Sequence, residues 1–141
     1  MFKRIWTAAA AVLLAVAFAG CSAQKFEDLP AGYDKDKVTA AAQNVAALMS
    51  AGDYATISDT LVREDLKTQL SADVLKNAAE KVMPKAGAFA SLGDAAVGGY
   101  KDPKTQEEYA VAVIPVKYEN QTVTYTLFLN ADLKIVGLYL K

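Results

Sequence analysis

The 141-residue chain has no histidine, one cysteine and one tryptophan. Without histidine there is no Ser-His-Asp or Cys-His catalysis, and no histidine-based zinc or iron site. The lone Cys21 cannot close a disulfide within the chain, so no covalent staple supports the fold. Fifteen lysines and arginines stand against sixteen aspartates and glutamates, with the lysines scattered singly among carboxylates. Nucleic-acid binding needs a basic footprint, and none is present. Charge attraction to anionic headgroups is equally unsupported. No apolar run reaches the about 20 residues of a transmembrane helix. Carboxylates, tyrosines, lysines and hydroxyls remain for chemistry. They give no metal site, no cofactor site and no residue with an assigned catalytic role.

The longest apolar stretch runs from Ile5 to Gly20, broken only by Thr7, and follows Lys3 and Arg4. A basic start, an apolar middle and small residues at the end have the build of a secretory signal. Ala19-Gly20-Cys21 resembles the lipobox of bacterial lipoproteins, with Phe18 in place of the usual aliphatic residue. The resemblance implies cleavage before Cys21 and acylation of that cysteine. One acyl chain binds a membrane only marginally, and lipobox cysteines carry two or three. The expectation is an exported protein anchored in the cell envelope through Cys21. Its site is the cell membrane, or the outer membrane where two are present, since Ser22 is not the aspartate that resembles an inner-membrane retention signal. The single Trp6 leaves with the signal.

The expected division is residues 1–20 as signal peptide, 21–33 as acylated cysteine and tether, and 34–141 as one domain. The 121 residues left after removal of residues 1–20 suffice for a real core, since chains of this size bury roughly two-thirds of their unfolded surface. Residues 22–33, SAQKFEDLPAGY, are polar and aperiodic, and reach at most ~40 Å fully extended.

From Asp34 the pattern turns helical. Val38, Ala41, Ala42, Val45, Leu48 and Met49 line one face, Asp34 or Asp36 can cap the start, and Gly52 fits the stop. Asp53 can cap a shorter helix carrying Tyr54, Ile57 and Leu61, with Val62, Leu66 and Leu70 as a continuation. Ser71 caps a third, with Val74, Leu75, Ala78, Ala79, Val82 and Met83 as its seam, ended by Pro84 and Gly87. After Gly87 the period falls to two. Residues 88–101 read as a strand with a bulge or bend at Gly98-Gly99. Residues 108–118 form a strong strand in which Pro115 argues for an edge or a bulge. In residues 122–129, Val123, Tyr125, Leu127 and Leu129 face one way and Thr122, Thr124 and Thr126 the other. Residues 135–140 close the chain. Short turns make the pairings antiparallel, and helices followed by strands give an α+β fold, with N-terminal helices packed on a curved antiparallel sheet of about four strands.

Several landmarks carry a second resemblance: Gly52-Asp53-Tyr54, Ser71-Ala72-Asp73-Val74-Leu75, Gly87-Ala88-Phe89, Lys117-Tyr118-Glu119-Asn120 and the run Leu127 to Leu138. Over about residues 36–140 the chain resembles a family of bacterial domains of unknown function found in small secreted or lipid-anchored proteins. That likeness implies the cystatin-like, nuclear-transport-factor-two-like cone, and it carries no activity with it. Gln121 and Leu133 stand where the late turns would take glycine, and Ala78-Ala79 where the last helix would take a bulky aromatic.

Cone folds often keep a cavity between helix and sheet, and some relatives are isomerases or cyclases that pair a carboxylate of raised pKa with a tyrosine. The residues on offer are Asp94, Glu107, Glu108 and Glu119, with Tyr100, Tyr109, Tyr118, Tyr125 and Tyr139. Tyr125, Tyr109 and Leu127 are the candidates to line such a cavity. Asp34, Asp36 and Asp53 read as helix caps, because calcium loops need denser ligands. Three functional readings follow. The favoured one is non-catalytic binding of a small apolar ligand or a protein partner, with a homodimer through the open sheet face as one form. The others are a purely structural envelope component, and an isomerase or cyclase using a buried carboxylate with Tyr125.

Overall fold

Helix α1, Lys35–Ala51, begins where Asp34 Oδ1 accepts the backbone N–H of Asp36 at 2.9 Å and of Lys37 at 3.1 Å. It stops at Gly52, whose φ of 78° is the left-handed conformation that lacks a Cβ penalty. The computed structural model describes residues 26–141; Cys21 and the expected signal peptide lie outside them. The apolar stripe read from the sequence is the buried face, with Val38, Ala42, Val45 and Met49 at its centre.

Asp53 caps the short helix α2, Tyr54–Thr56, with Oδ1 accepting from the Thr56 N–H and Oδ2 from its hydroxyl. α2 runs on into a π-helical turn, Ile57–Leu61. The expected continuation through Val62, Leu66 and Leu70 does not form as one helix. Val62 is extended and makes a parallel bridge to Ile135, and the Arg63 N–H donates to the Ile135 carbonyl at 3.0 Å. A β-branched residue beside an unpaired sheet edge gains more from that edge than from another helical turn. A 3₁₀ turn, Glu64–Leu66, follows. Helix α3, Ala72–Ala86, is capped by the Ser71 hydroxyl, which accepts the Val74 N–H. Pro84 does not end it. The helix runs two residues further to Gly87, because a proline near the last turn removes one intrahelical donor, for the carbonyl of the exposed Glu80.

The sheet has five antiparallel strands: β1 (Phe89–Leu92), β2 (Ala96–Lys101), β3 (Glu108–Tyr118), β4 (Thr122–Leu129) and β5 (Ile135–Leu140). The single strand expected over 88–101 is two, lying end to end on one edge of β3. The break falls at residues 93–95, not at Gly98-Gly99, and Pro115 explains it. In an antiparallel strand the N–H and C=O of one residue point to the same neighbour. The Pro115 carbonyl accepts from Gly93 at 2.7 Å, so its missing donor faces the same chain and leaves it unpaired there. β3 itself is interior, paired with β4 from Ala110↔Leu129 to Lys117↔Thr122.

Gly98 and Gly99 keep regular register with Val111 and Ala110. Their role is close approach. A Cβ on Gly98 would lie 2.8 Å from the Glu27 carbonyl, and one on Gly99 would lie 2.8 Å from Pro30 Cδ. Glu27 exchanges both backbone hydrogen bonds with Gly99, Leu29 packs against the core, and the Tyr33 hydroxyl donates to the Glu108 carbonyl at 2.8 Å. The later part of the expected tether therefore rests on the domain.

Alternation sorts the sheet into two faces. Ala110, Ala112, Ile114, Val116 and Tyr118 of β3, with Val123, Tyr125, Leu127 and Leu129 of β4, face the helices and form the core with Val38, Met49, Ile57, Leu75 and Ile135. The opposite, outer face carries Tyr109, Val111, Val113, Pro115 and Lys117 of β3, with the threonines and Phe128 of β4. Leu133 takes φ 61° in the turn before β5, so the position reads as a glycine position with a leucine in it.

Candidate functional site

A chain of three hydroxyls crosses the core. Tyr125, from the middle of β4, has no exposed surface, and its Oη lies 2.6 Å from Tyr118 Oη, which lies 2.7 Å from Ser50 Oγ on α1. The hairpin register places the two tyrosines together: Val116 faces Val123 and Ile114 faces Tyr125, so Tyr118 sits on the same inner face two steps along. Phe89 closes over the Tyr118 ring, edge-on at a centroid distance of 6.1 Å. Burial pushes the Tyr125 phenol well above its ordinary value, and the hydrogen bond with Tyr118 adds to that shift. A phenol held neutral can donate, but the hydroxyls here already bond one another.

The three cavity candidates divide between the faces. Tyr125 and Leu127 are fully buried on the inner face. Tyr109 is on the outer face, because odd-numbered residues of β3 alternate away from the helices. Its hydroxyl donates to Glu107 Oε1 at 2.7 Å. Burial and the Glu107 carboxylate push this phenol up to about 12, and the nearby Arg63 guanidinium opposes them. Arg63 is held in turn by Asp65, Nε to Oδ1 at 2.7 Å. Sequence reasoning missed Ser50 and Arg63, whose places depend on contacts between distant segments.

The carboxylates stay outside. All sixteen fall within the described residues, and none is buried; Asp102 alone is half-buried. Asp94 lies in the gap between β1 and β2, Glu119 in the turn between β3 and β4, and Glu107 and Glu108 at the start of β3, all exposed. Glu107 is the one that meets a tyrosine hydroxyl, on the outer face and in water. Asp34 and Asp53 cap helices. No carboxylate shares the apolar interior with Tyr125, so the pair required by the isomerase reading is not assembled.

Lysines close the π-helical turn. Lys67 Nζ donates to the Asp59 carbonyl, and Lys134 Nζ donates to the Thr60 carbonyl at 2.7 Å. These bonds satisfy carbonyls that end a helical turn, which is a structural task.

Comparison with curated proteins gives no match. Among solved structures the fold is similar to that described as "NMR structure of protein from Ruminococcus gnavus ATCC 29149". The TM-score is 0.68 at 26% identity, covering 80% of this chain and 96% of that one. That likeness takes in the helices and the sheet together, and its title states no activity. Residues 42–138 match a family described as "Protein of unknown function (DUF3887)", a span from the middle of α1 to β5. The chain belongs to the DUF3887 family of proteins of unknown function.

Proposed function

We propose that the chain is an exported, lipid-anchored domain of the bacterial cell envelope that works by binding, with a homodimer through the outer face of its sheet as one form. One observation carries the choice of binding over catalysis: every carboxylate is at least partly exposed while the core tyrosines bond one another. General acid–base chemistry on a buried substrate needs a carboxylate and a phenol in one apolar site. The lipid anchor rests on the resemblance of Ala19-Gly20-Cys21 to a lipobox and on the basic-then-apolar run before it. A kinship with the cystatin-like, nuclear-transport-factor-two-like cone is part of the same proposal, and helices laid across one face of an antiparallel sheet support it. The ligand classes are a small apolar molecule or a protein partner, including a second copy.

Native mass spectrometry of the acyl-free domain starting at Ser22 tests this reading, alone and with a short-chain phospholipid. A retained apolar ligand, a bound phospholipid or a homodimer is expected. A ligand-free monomer under both conditions would count against binding and favour a purely structural envelope component.

A further inference from the structure

The sheet has two edges, and the chain treats them differently. One is formed by β1 and β2. It is broken at residues 93–95 and covered at Gly99, where Glu27 exchanges both backbone hydrogen bonds. The other is β5, IVGLYL, which has no proline and no charge between Lys134 and Lys141. Its first residue is covered, since Val62 bridges Ile135 and the Arg63 N–H donates to the Ile135 carbonyl. Its later residues are open. Thr124 and Lys141 exchange both backbone bonds, so Lys141 turns its N–H and C=O toward β4. By alternation Tyr139 does the same, and Leu138 and Leu140 turn theirs away from the sheet. No described residue bonds these outward groups. An apolar edge with open backbone groups is a template for another strand. We infer that a second copy of the chain adds its own β5 to this edge, antiparallel about Tyr139, so that the two five-stranded sheets run on as one.

Hydrogen bonding selects the register. A two-fold axis beside Tyr139 sets Leu138 opposite the partner's Leu140, and Leu140 opposite the partner's Leu138. Each such pair exchanges both bonds, which satisfies every outward group of the two leucines. An axis beside Leu138 would set Leu140 opposite Val136, in the irregular step of β5 between Gly137 and Ile135, and that pair would be lost.

Side chains agree with it. Leu138 and Leu140 register with Leu127 and Tyr125 on the inner face, pack on the core and stay partly exposed. In the pair each covers the other's counterpart. On the outer face Tyr139 is also partly exposed, with its ring edge-on to Phe128 at 6.0 Å. It would meet the partner's Tyr139 in a non-hydrogen-bonded pair, with Cα atoms about 4.5 Å apart. Aromatic cross-strand pairs of this kind stabilise a sheet.

Charge selects the direction. Antiparallel pairing sets Lys141 opposite the partner's Gly137. Parallel pairing in register would set Lys134 beside Lys134 and Lys141 beside Lys141, and like charges directly opposite are destabilising. A foreign strand is chosen through pockets for its alternate side chains. Here the groups around the open bonds are Leu138, Tyr139 and Leu140, which the same segment of a second copy complements. The pairing is isologous and consumes both β5 edges. The edges left over are broken and covered, so assembly closes at two copies. The inference builds on the reading of a binding domain by naming its partner, and is independent of the lipid anchor.

The full chain, expressed with its signal, tests the inference by mild oxidation of single-cysteine additions, with the unsubstituted chain giving the background from Cys21. Tyr139→Cys should form disulfide-linked dimers. In the same register two Lys141→Cys positions lie roughly 14 Å apart along the strands, beyond the ~7 Å that a disulfide spans. Cross-linking at Tyr139→Cys should therefore exceed that at Lys141→Cys at least about fivefold. A second measurement is sedimentation of the chain purified in mild detergent. Leu138→Pro removes an outward N–H and spares the ladder to β4, so association should weaken at least about tenfold with the near-ultraviolet circular dichroism unchanged. Tyr139→Lys sets like charges across the axis and should do the same should Leu138→Pro fail to fold.

Equal cross-linking at Tyr139→Cys and Lys141→Cys, as parallel pairing or random collision would give, overturns the inference. So does stronger cross-linking at Thr124→Cys, which reports a dimer through the outer face instead. A chain still monomeric at about 1 mM overturns it as well. Where that monomer retains an apolar ligand, the reading of a binding domain stands and the edge pairing alone is lost.

Discussion

Removing one hydroxyl from the Ser50–Tyr118–Tyr125 chain should have a cost that depends on its place in the chain. Tyr125 is the end member, with the Tyr118 hydroxyl as its close partner at 2.6 Å and Ser50 near enough to favour its ionised form. Tyr125→Phe deletes one hydrogen bond and leaves Tyr118 bonded to Ser50, so the loss is about 1 kcal/mol. Tyr118 is the middle member, with oxygens at 2.6 and 2.7 Å on either side. Tyr118→Phe deletes two bonds and takes the close partner from the Tyr125 hydroxyl, which has no exposed surface and keeps only Ser50 near it. An unsatisfied buried hydroxyl adds about 1–3 kcal/mol, so the total is about 2–4 kcal/mol. The double variant carries no stranded phenol in the core. It should therefore be no less stable than Tyr118→Phe alone, a non-additivity of about 1 kcal/mol or more. Urea unfolding of the three variants, followed by near-ultraviolet circular dichroism, measures this. A Tyr125→Phe as costly as Tyr118→Phe, or strictly additive losses, would refute the hydroxyl chain.

Other perturbations probe the sheet, the N-terminal segment and the tyrosines. Leu127→Ala should lose about 2–5 kcal/mol as a fully buried truncation, and Thr124→Ala on the outer face about 1 kcal/mol or less; equal losses would break the assigned faces. Gly99→Ala puts a Cβ against Asp28 and Pro30, at about 1–3 kcal/mol for overpacking. Limited proteolysis around residues 26–33 should accelerate, and an unchanged cleavage pattern would mean the segment does not rest on β2. Burial raises the phenols of Tyr125, Tyr139 and Tyr109, the last to about 12. Their folded values lie above the unfolded value of about 10, so this contribution to stability is full below about pH 10 and is lost as pH rises through the folded values. Alkaline titration of tyrosinate absorbance should show these phenols ionising late, together with unfolding. Uniform titration near pH 10 with the fold intact would contradict their burial.

The helices and the faces of the sheet could be read from sequence because their signals are local. Asp34 and Ser71 cap helices as their positions suggested, and Gly52 ends α1. Strict alternation from Thr122 to Leu129 set the two faces of β4. The failures share one cause, the dependence of a residue on a distant neighbour. Pro115 breaks the strand beside it and not its own. Gly98-Gly99 looked like a bend, but the glycines admit residues 27–30, some seventy positions earlier. Val62 left the helical pattern for an edge supplied by Ile135.

The candidate site was half visible in the same way. Tyr118 and Tyr125 fall on one face of a tight hairpin, and that parity can be counted from its turn at Glu119-Asn120. Ser50 joins them only through the packing of α1 on the sheet. Tyr109 reads from the sequence as a cavity residue beside Tyr125 and Leu127, but its odd position in β3 turns it to the outer face.

The lipid anchor is the centre of the account, and intact mass with membrane fractionation of Cys21→Ser against the unmodified chain tests it most directly. The account predicts that the unmodified chain is cut before Cys21, gains the mass of its acyl chains and sediments with membranes. Cys21→Ser should lose both the acyl mass and the membrane association. A Cys21→Ser protein that stays in the membrane fraction with unchanged processing would contradict it.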